Sequence, residues 1–407
     1  MRVSFCQSPE TAARICAKIF SAEICAARAP SSMSSPSPSL PHGADSVYNP
    51  FLSHAFLTAL EESGSACADT GWLPQHLVVE TPAGDSLGAM PLYLKSHSQG
   101  EYIFDYGWAD AFHRAGGRYY PKLLSAVPFT PATGPRLLIR DPARADAITR
   151  ALISGALTLS ERLEASSLHI NFLPETQWSA LGDLGFLRRT DQQFHWVNDG
   201  YESFEAFLTA LASRKRKNLK KERARAVENG IEIEQITGAD LTAAHWDTFF
   251  EFYIDTGNRK WGTPYLTRAF FHQINATMPD DILLIMAKRE GRYIAGALNF
   301  IGGDTLFGRN WGCLEDHPFL HFEVCYYQAI DFAIRRKLHR VEAGAQGTHK
   351  LARGYSPHRT HSAHHIAHEG LRDAVADYLE SERQYVDNDI SALNRHTPFK
   401  KTDTPPE

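Results

Sequence analysis

The spacing of apolar residues changes period between Ile282 and Tyr355, and that change lays out a run of elements. The apolar run 282–288 (ILLIMAK) stops at the turn residues Arg289-Glu290-Gly291. A second run, 293–301 (YIAGALNFI), leads through Gly302-Gly303-Asp304 into a third, 306–313 (LFGRNWGC). Three short runs separated by turn residues read as an antiparallel meander. After Pro318 the spacing becomes helical. Phe322, Tyr326, Ile330, Ile334 and Leu338 form an i,i+4 row with Ala329 and Ala333 beside it, ending at Arg335-Arg336-Lys337. The chain returns through 340–355 (RVEAGAQGTHKLARGY) as a further strand that ends in a lysine-bearing turn.

The first half repeats this pattern less clearly. A helix is expected over 51–63, then strands at 76–80, 87–95 and 101–108, with the turn Pro82-Ala83-Gly84-Asp85 between the first two. Gly88-Ala89-Met90 answers Gly296-Ala297-Leu298, a faint internal match. Helix 143–164, strand 168–173 and Gly185-Phe186 close this half, and Asn198-Asp199-Gly200 marks a boundary near 190–200. Helices at 203–228 and 370–385 bracket the second half. The chain has 407 residues, more than the roughly 250–300 at which one core stops growing. The expected division is a disordered or mis-assigned segment at 1–45, domains at 46–195 and 196–396, and a disordered tail at 397–407. Met33 is an alternative start.

Composition narrows the class. Hydrophobic residues make up 43% and charged residues 22%, as in globular proteins. A net charge of −5 excludes a protein that coats nucleic acid over its whole surface, while leaving room for one basic patch. No apolar run nears the roughly 20 residues of a membrane span. The Ser/Pro-rich stretch 31–43 cannot bury enough apolar surface to fold, and nothing before it reads as a cleaved leader. The cysteines (6, 16, 25, 67, 313, 325) have no paired spacing, which fits a reducing cytoplasm, with Cys313 and Cys325 in the core.

The basic patch is 213–225, where Arg214, Lys215, Arg216, Lys217, Lys220, Lys221, Arg223 and Arg225 face Glu222 alone. Most such runs are solvated faces. Here like charges repel at i,i+4 spacing, and a polyanion relieves that through counterion release. Alternation along 306–313 puts Phe307, Arg309 and Trp311 on one face, where the arginine needs an anion, either a ligand or Glu342. Arg259, Lys260 and Trp261 form a second cation–aromatic cluster, and Asp105, Tyr106, Trp108, Tyr120 and Lys122 a third; all are candidates for substrate binding. Glu342, on a strand that otherwise reads as core, is a candidate base. Glu323 is another, although a carboxylate at a helix start also has a structural explanation in the helix dipole. His349, His358, His361, His364, His365 and His368 invite a metal, but a period-two strand explains them, and no metal is expected.

The segment 282–355 resembles the spine of GNAT-type acyltransferases. From about Asn49 to about Phe399 the chain resembles the Fem-like branch of that superfamily, a bacterial group of N-acyltransferases related to peptidoglycan-bridge enzymes. The resemblance rests on strings such as NPFLSHAFLTALEESG, GEYIFDYGWADAF, SRKRKNLKKER, RKWGTPYL, HFEVCYYQAIDFAI and EAGAQGTHKLARGY. It implies an α/β (α+β) fold of two tandem GNAT-like domains, each a mixed, largely antiparallel sheet flanked by helices. It also implies a catalytic role for Lys350, which matches a lysine after the strand that follows the central helix. His349 stands where that motif has an aromatic residue, and one extra residue precedes Tyr355. A cation there would stabilise the oxyanion formed when an amine attacks an ester or thioester, or would hold the donor's terminal phosphate, with Arg353 and Tyr355 nearby. The implied function is transfer of an acyl or aminoacyl group to an amine on a cell-envelope precursor or small metabolite, with aminoacyl-tRNA as donor and no bound cofactor. The alternatives are an acyl-CoA- or acyl-carrier-dependent enzyme, and a non-catalytic tRNA- or precursor-binding protein. Residues 314–320 lack the glycines that cradle a pyrophosphate in acetyl-CoA enzymes and carry two acids instead, which disfavours acyl-CoA.

Overall fold

The computed structural model describes residues 1–5, 48–260, 264–344 and 347–400, with the side chains of Phe5, Lys260 and Thr348 left aside. The Ser/Pro-rich stretch, Met33, Trp261 and the last seven residues lie outside the described residues. The chain divides into two units. Unit 1 takes Met1–Asp191, Tyr265–Phe270 and Thr360–Gln384; unit 2 takes Gln192–Pro264, Phe271–Arg359 and Tyr385–Glu407.

In unit 1, β1 (Arg2–Phe5) pairs antiparallel with β3 (Leu77–Glu80), so residues 2–5 depart from the disorder expected for 1–45. β4 (Ser86–Met90) and β7 (Leu138–Ile139) complete this four-stranded sheet. A second sheet holds β2 (Trp72–Pro74), β5 (Tyr93–Lys95), β6 (Lys122–Ser125) and β8 (Ser167–Leu173). The long helix Ala145–Arg162 lays Ile148, Leu152, Ala156 and Leu159 into the core with Leu77, Leu123 and Leu168. The strand expected over 101–108 does not form. Glu101 and Asp105 turn inward to one lysine, Tyr102 takes a left-handed backbone, and a helix starts at Tyr106.

The chain passes from unit 1 to unit 2 at Asp191 and Gln192, within β9 (Leu187–Val197), whose Phe194 and Trp196 alternate into the unit 2 core. In unit 2 the meander forms as β11 (Ile282–Arg289), β12 (Arg292–Ile301) and β13 (Thr305–Cys313), with β10 (Ile231–Thr237) on β11. Then β14 (Arg340–Glu342) pairs parallel to β13 and antiparallel to β9. The period-two histidine run forms β15 (Ser356–Ile366), which pairs with β8 in unit 1 from His361 onward. The amphipathic helix occupies 320–335 and carries one π turn at Glu323–Tyr327. Such turns recur at functional sites.

Two departures shape the site. Leu298 pairs with Asn310 and Asn299 with Gly308, which leaves Arg309 as the extra residue of a β-bulge. The bulge inverts the alternation, so Trp311 packs on the core cluster that holds Leu306 while Phe307 does not. Phe307, Arg309 and Trp311 therefore do not share one face. The helix expected over 203–228 is two, Phe204–Ala210 and Ser213–Ala226. Between them, the N–H of Ala212 donates to the carbonyl of Pro398, and Leu211 bridges to Phe399.

Candidate active site in unit 2

The parallel pairing of β13 and β14 lasts three residues and ends at Phe307 opposite Glu342, while β13 runs on to Cys313. From there the two strands have no pairing with each other. Arg309 stands on β13 and Glu342 on β14 at this fork, so the structure brings these two candidates together. Glu342 is almost wholly buried. Its Oε2 has no hydrogen-bond partner, and Oε1 lies 3.9 Å from Nε2 of His195. Burial pushes its carboxyl up to about 7, against the opposing pull of Arg340 and, less, Arg309. His195 stacks on His358 at 4.7 Å between centroids, and burial, with His358 next, holds its imidazole well below the usual range.

Lys350 sits in a short 3-10 turn, Thr348–Arg353, between Gly347 and Gly354. Both glycines have strongly positive φ, 100° and 89°, which side chains resist. That turn carries the Lys350 Nζ back to the carbonyls after β14, to Ala343 at 2.5 Å and Gly344 at 3.2 Å. The ammonium is buried, and burial lowers it to about 8. Two of its three N–H bonds are used on those carbonyls.

Other expected site residues serve as struts. Glu323 takes a bidentate pair from Arg223, at 2.8–3.2 Å, and a bond from Gln328, so its carboxylate is occupied as an anchor. Arg353 lies 3.5 Å over the Phe322 ring and 2.8 Å from Glu222, which also accepts from the Tyr327 hydroxyl. Tyr355 is core, edge-on to Tyr326. These bonds fasten one face of helix Ser213–Ala226, with Leu219 and Ala226 buried. The opposite face exposes Arg214, Lys217, Lys221 and Arg225, one stripe at helical spacing. Arg214, Lys217 and Lys221 have no ion-pair partner among the described residues, whereas Lys220 holds Glu205 at 2.6 Å. Lys215 and Arg216 are half-buried.

Beside the far end of β13 lies a cleft of about 280 Å³. Arg259 and Trp311, two further candidates, line it with Glu315, Asp316, His317 and His321. Arg259 is held by Asp255 at 2.5 Å and by the Cys313 carbonyl at 2.6 Å. Glu315 accepts from His317 and Arg289, which keep its carboxyl below the usual range. Trp311 meets His321 edge-on. The side chain of Lys260 and all of Trp261 lie outside the described residues.

The sequence profile of the FemAB-like family, described as peptidoglycan biosynthesis/recognition, matches residues 40–401. The chain belongs to the FemAB-like family. The crystal structure of FemX resembles this FemAB-like chain over 92% of its length and 100% of FemX, at 12% identity and a TM-score of 0.51. The C-terminal domain of a putative lysylphosphatidylglycerol synthetase from Agrobacterium fabrum covers 80% of the chain and 91% of itself, at 9% and 0.49. A tandem GNAT protein from the clavulanic acid biosynthesis pathway covers 90% and 99%, at 11% and 0.45. No protein of curated function matches in sequence. The FemX likeness is one of fold, and the mixed, largely antiparallel α/β architecture expected from the sequence is the one found.

In this FemAB-like chain the unit 1 candidates form an internal network. Lys122 is sealed from solvent between Glu101 at 2.8 Å and Asp105, with Ser98 at 2.8 Å. Burial alone would lower the ammonium, but Glu101 and Asp105 hold it above its usual value. Burial likewise opposes ionisation of Asp105, yet Lys122 and His169 hold it well below the carboxylate range. Trp108 packs edge-on to His364, and His169 and His364 face each other through Nδ1 at 2.6 Å. Lys122, Asp105 and Trp108 therefore brace the interior, while Tyr106 is exposed and Tyr120 half-buried. Among the described residues no set of His, Cys, Asp or Glu is arranged to hold a metal, and no helix is long and apolar enough to cross a membrane. The sequence reading missed His195, whose only signal was the period-two alternation of Phe194 and Trp196 around it.

Proposed function

We propose that the chain is an N-acyltransferase that moves an acyl or aminoacyl group from an activated ester to an amine on a cell-envelope precursor or related metabolite. The observation that carries this reading is the end of β14, where the desolvated Glu342 carboxyl lies beside the bulged Arg309 of β13. The chain that follows gives its carbonyls at Ala343 and Gly344 to the buried Lys350 ammonium. An attacking amine must shed a proton, and a carboxyl near 7 takes it at neutral pH, directly or through one water. The nitrogen forms its bond to the carbonyl carbon and the ester C–O bond breaks. The proton passes through Glu342 to the departing alkoxide. Lys350, with one N–H not committed to Ala343 or Gly344, stabilises the oxyanion between those events.

The stripe Arg214-Lys217-Lys221-Arg225 suits a donor with a phosphate backbone, which favours aminoacyl-tRNA over a thioester. The acids at 315 and 316 before the helix at 320 disfavour a pyrophosphate there. The reaction would take place in the cytoplasm. The test is label transfer from a panel of charged tRNAs and acyl-CoAs to amine-bearing envelope precursors. Transfer from tRNA that falls with salt and with Glu342→Gln supports the reading. Transfer from acyl-CoA alone, or transfer indifferent to Glu342, removes it.

A further inference from the structure

β14 pairs with β9 so that Glu342 stands directly opposite His195, and the two side chains share one face of the sheet. The His195 Nε2 faces two acceptors, Oε1 of Glu342 at 3.9 Å and Oε1 of Gln193 at 3.4 Å, whereas Nδ1 has no hydrogen-bond partner. A buried N–H needs an acceptor more than a bare lone pair needs a donor, so the proton belongs on Nε2. The ring is also held in its plane. His358 stacks on it with 16° between the planes, and the Ser356 hydroxyl donates to the His195 carbonyl at 3.4 Å. Glu342 therefore has one oxygen toward an N–H and a second, Oε2, without a hydrogen-bond partner.

We propose that His195 is the positioning residue for Glu342: its Nε2–H holds Oε1 of the carboxylate and leaves Oε2 as the oxygen that takes the proton of the amine. The assignment deepens the transferase reading and rests on it for the source of that proton. A shift of about 1 Å closes the Nε2 to Oε1 separation to a hydrogen bond. A base held by a third group presents one lone pair to its substrate, where an unsupported carboxylate would spread over several rotamers. The imidazole must stay neutral to do this. An imidazolium would pair with the carboxylate and make it too weak a base for an amine. Burial and the stacked His358, then Arg340 and Lys350, oppose that charge. Glu342 itself is faced by Arg340 on its own strand, by Arg309 of β13 and by Asp304 in the turn that leads into β13.

The test reads Glu342 itself, in the full chain. Glutamate carboxyl carbons are labelled, and the Glu342 midpoint, about 7 in the native chain, is followed by NMR in three variants. His195→Leu removes the donor and should raise the midpoint by roughly half to one pH unit, the size of one hydrogen bond. His195→Asn, whose amide stops where Nδ1 stands, should do the same. His195→Gln, whose amide reaches the place of Nε2, should restore the midpoint to within roughly 0.3 pH unit. Single-turnover transfer at pH 7 should fall roughly two- to fivefold in the Leu and Asn variants and recover by pH 9, where the carboxyl is ionised in each. A midpoint unmoved in both of these variants, or a Gln variant as impaired as Leu, overturns the proposal. A midpoint that moves as described in a chain that transfers from no ester keeps the role of His195 and removes the transferase reading. Transfer that needs Glu342 and does not respond to His195 does the reverse.

Discussion

Lys122 in unit 1 and Lys350 in unit 2 are both shut away from water, and they differ in what they touch. Lys122 bonds two carboxylates and stays an ammonium beyond its usual range; Lys350 bonds only backbone carbonyls and falls to about 8. The carboxylates repeat the contrast. Asp105, beside Lys122, is held well below its usual value, while Glu342, with no bonded cation, rises to about 7. Burial acts alike in all four, and the bonded partner sets the direction in these. Glu101, bonded to Lys122 in the same cluster, is still raised to about 7 because its burial outweighs that bond. Where charges are paired, the cluster holds the fold together. Where one is desolvated without a bonded counter-charge, as at Glu342 and Lys350, it shifts toward neutral pH.

The sharpest way to break this comparison is to remove the paired lysine. Lys122→Met leaves Glu101 and Asp105 buried against each other and should cost about 3–5 kcal/mol in denaturant unfolding. Transfer per folded molecule should stay unchanged. Glu342→Gln should do the opposite, lowering transfer by roughly 100-fold or more while stabilising the protein above neutral pH. The sign follows from a carboxyl raised from 4.5 to about 7 on folding. The folded state binds the extra proton, so stability is intact below 4.5 and falls as pH rises through about 7. That loss should be on the order of 3 kcal/mol by pH 8 in the native chain and absent in the variant, read from urea midpoints.

Lys350→Met should slow single-turnover transfer by roughly 100-fold, the scale of one lost oxyanion donor, with little change in RNA affinity. The smallest effects belong to the outer stripe. Arg214→Gln, Lys217→Gln and Lys221→Gln should each lower the slope of log affinity against log salt by roughly 0.7–0.9, without touching the chemical step.

The meander and helix of unit 2 were legible because their periods, two and then 3.6, are properties of the local sequence. The bulge at Arg309 was not, since it exists only in the pairing of β12 with β13, and it cancelled the face assigned to Arg309 and Trp311. Residues 101–108 alternate like a strand, yet the pull of Lys122 on Glu101 and Asp105 prevails over that local pattern. The basic helix breaks at Leu211 and Ala212 because Pro398 and Phe399, distant in sequence, pair with them. Glu342 stood out as an acid on a strand that otherwise reads as core, whereas Lys350 stood out through the family resemblance of its motif. His195 did not, because nothing local marks which polar residue of an alternating strand will face a buried acid.

The account stands on the protonation of one buried side chain, and that can be read directly. Carboxyl carbons of glutamate are labelled, Glu342 is assigned by its loss in Glu342→Gln, and its chemical shift is followed by NMR from pH 3 to pH 9. The account predicts a midpoint about 7. A midpoint near the ordinary glutamate value of about 4.3 would show a solvated or ion-paired carboxylate, unfit to take the proton from an amine, and would contradict it.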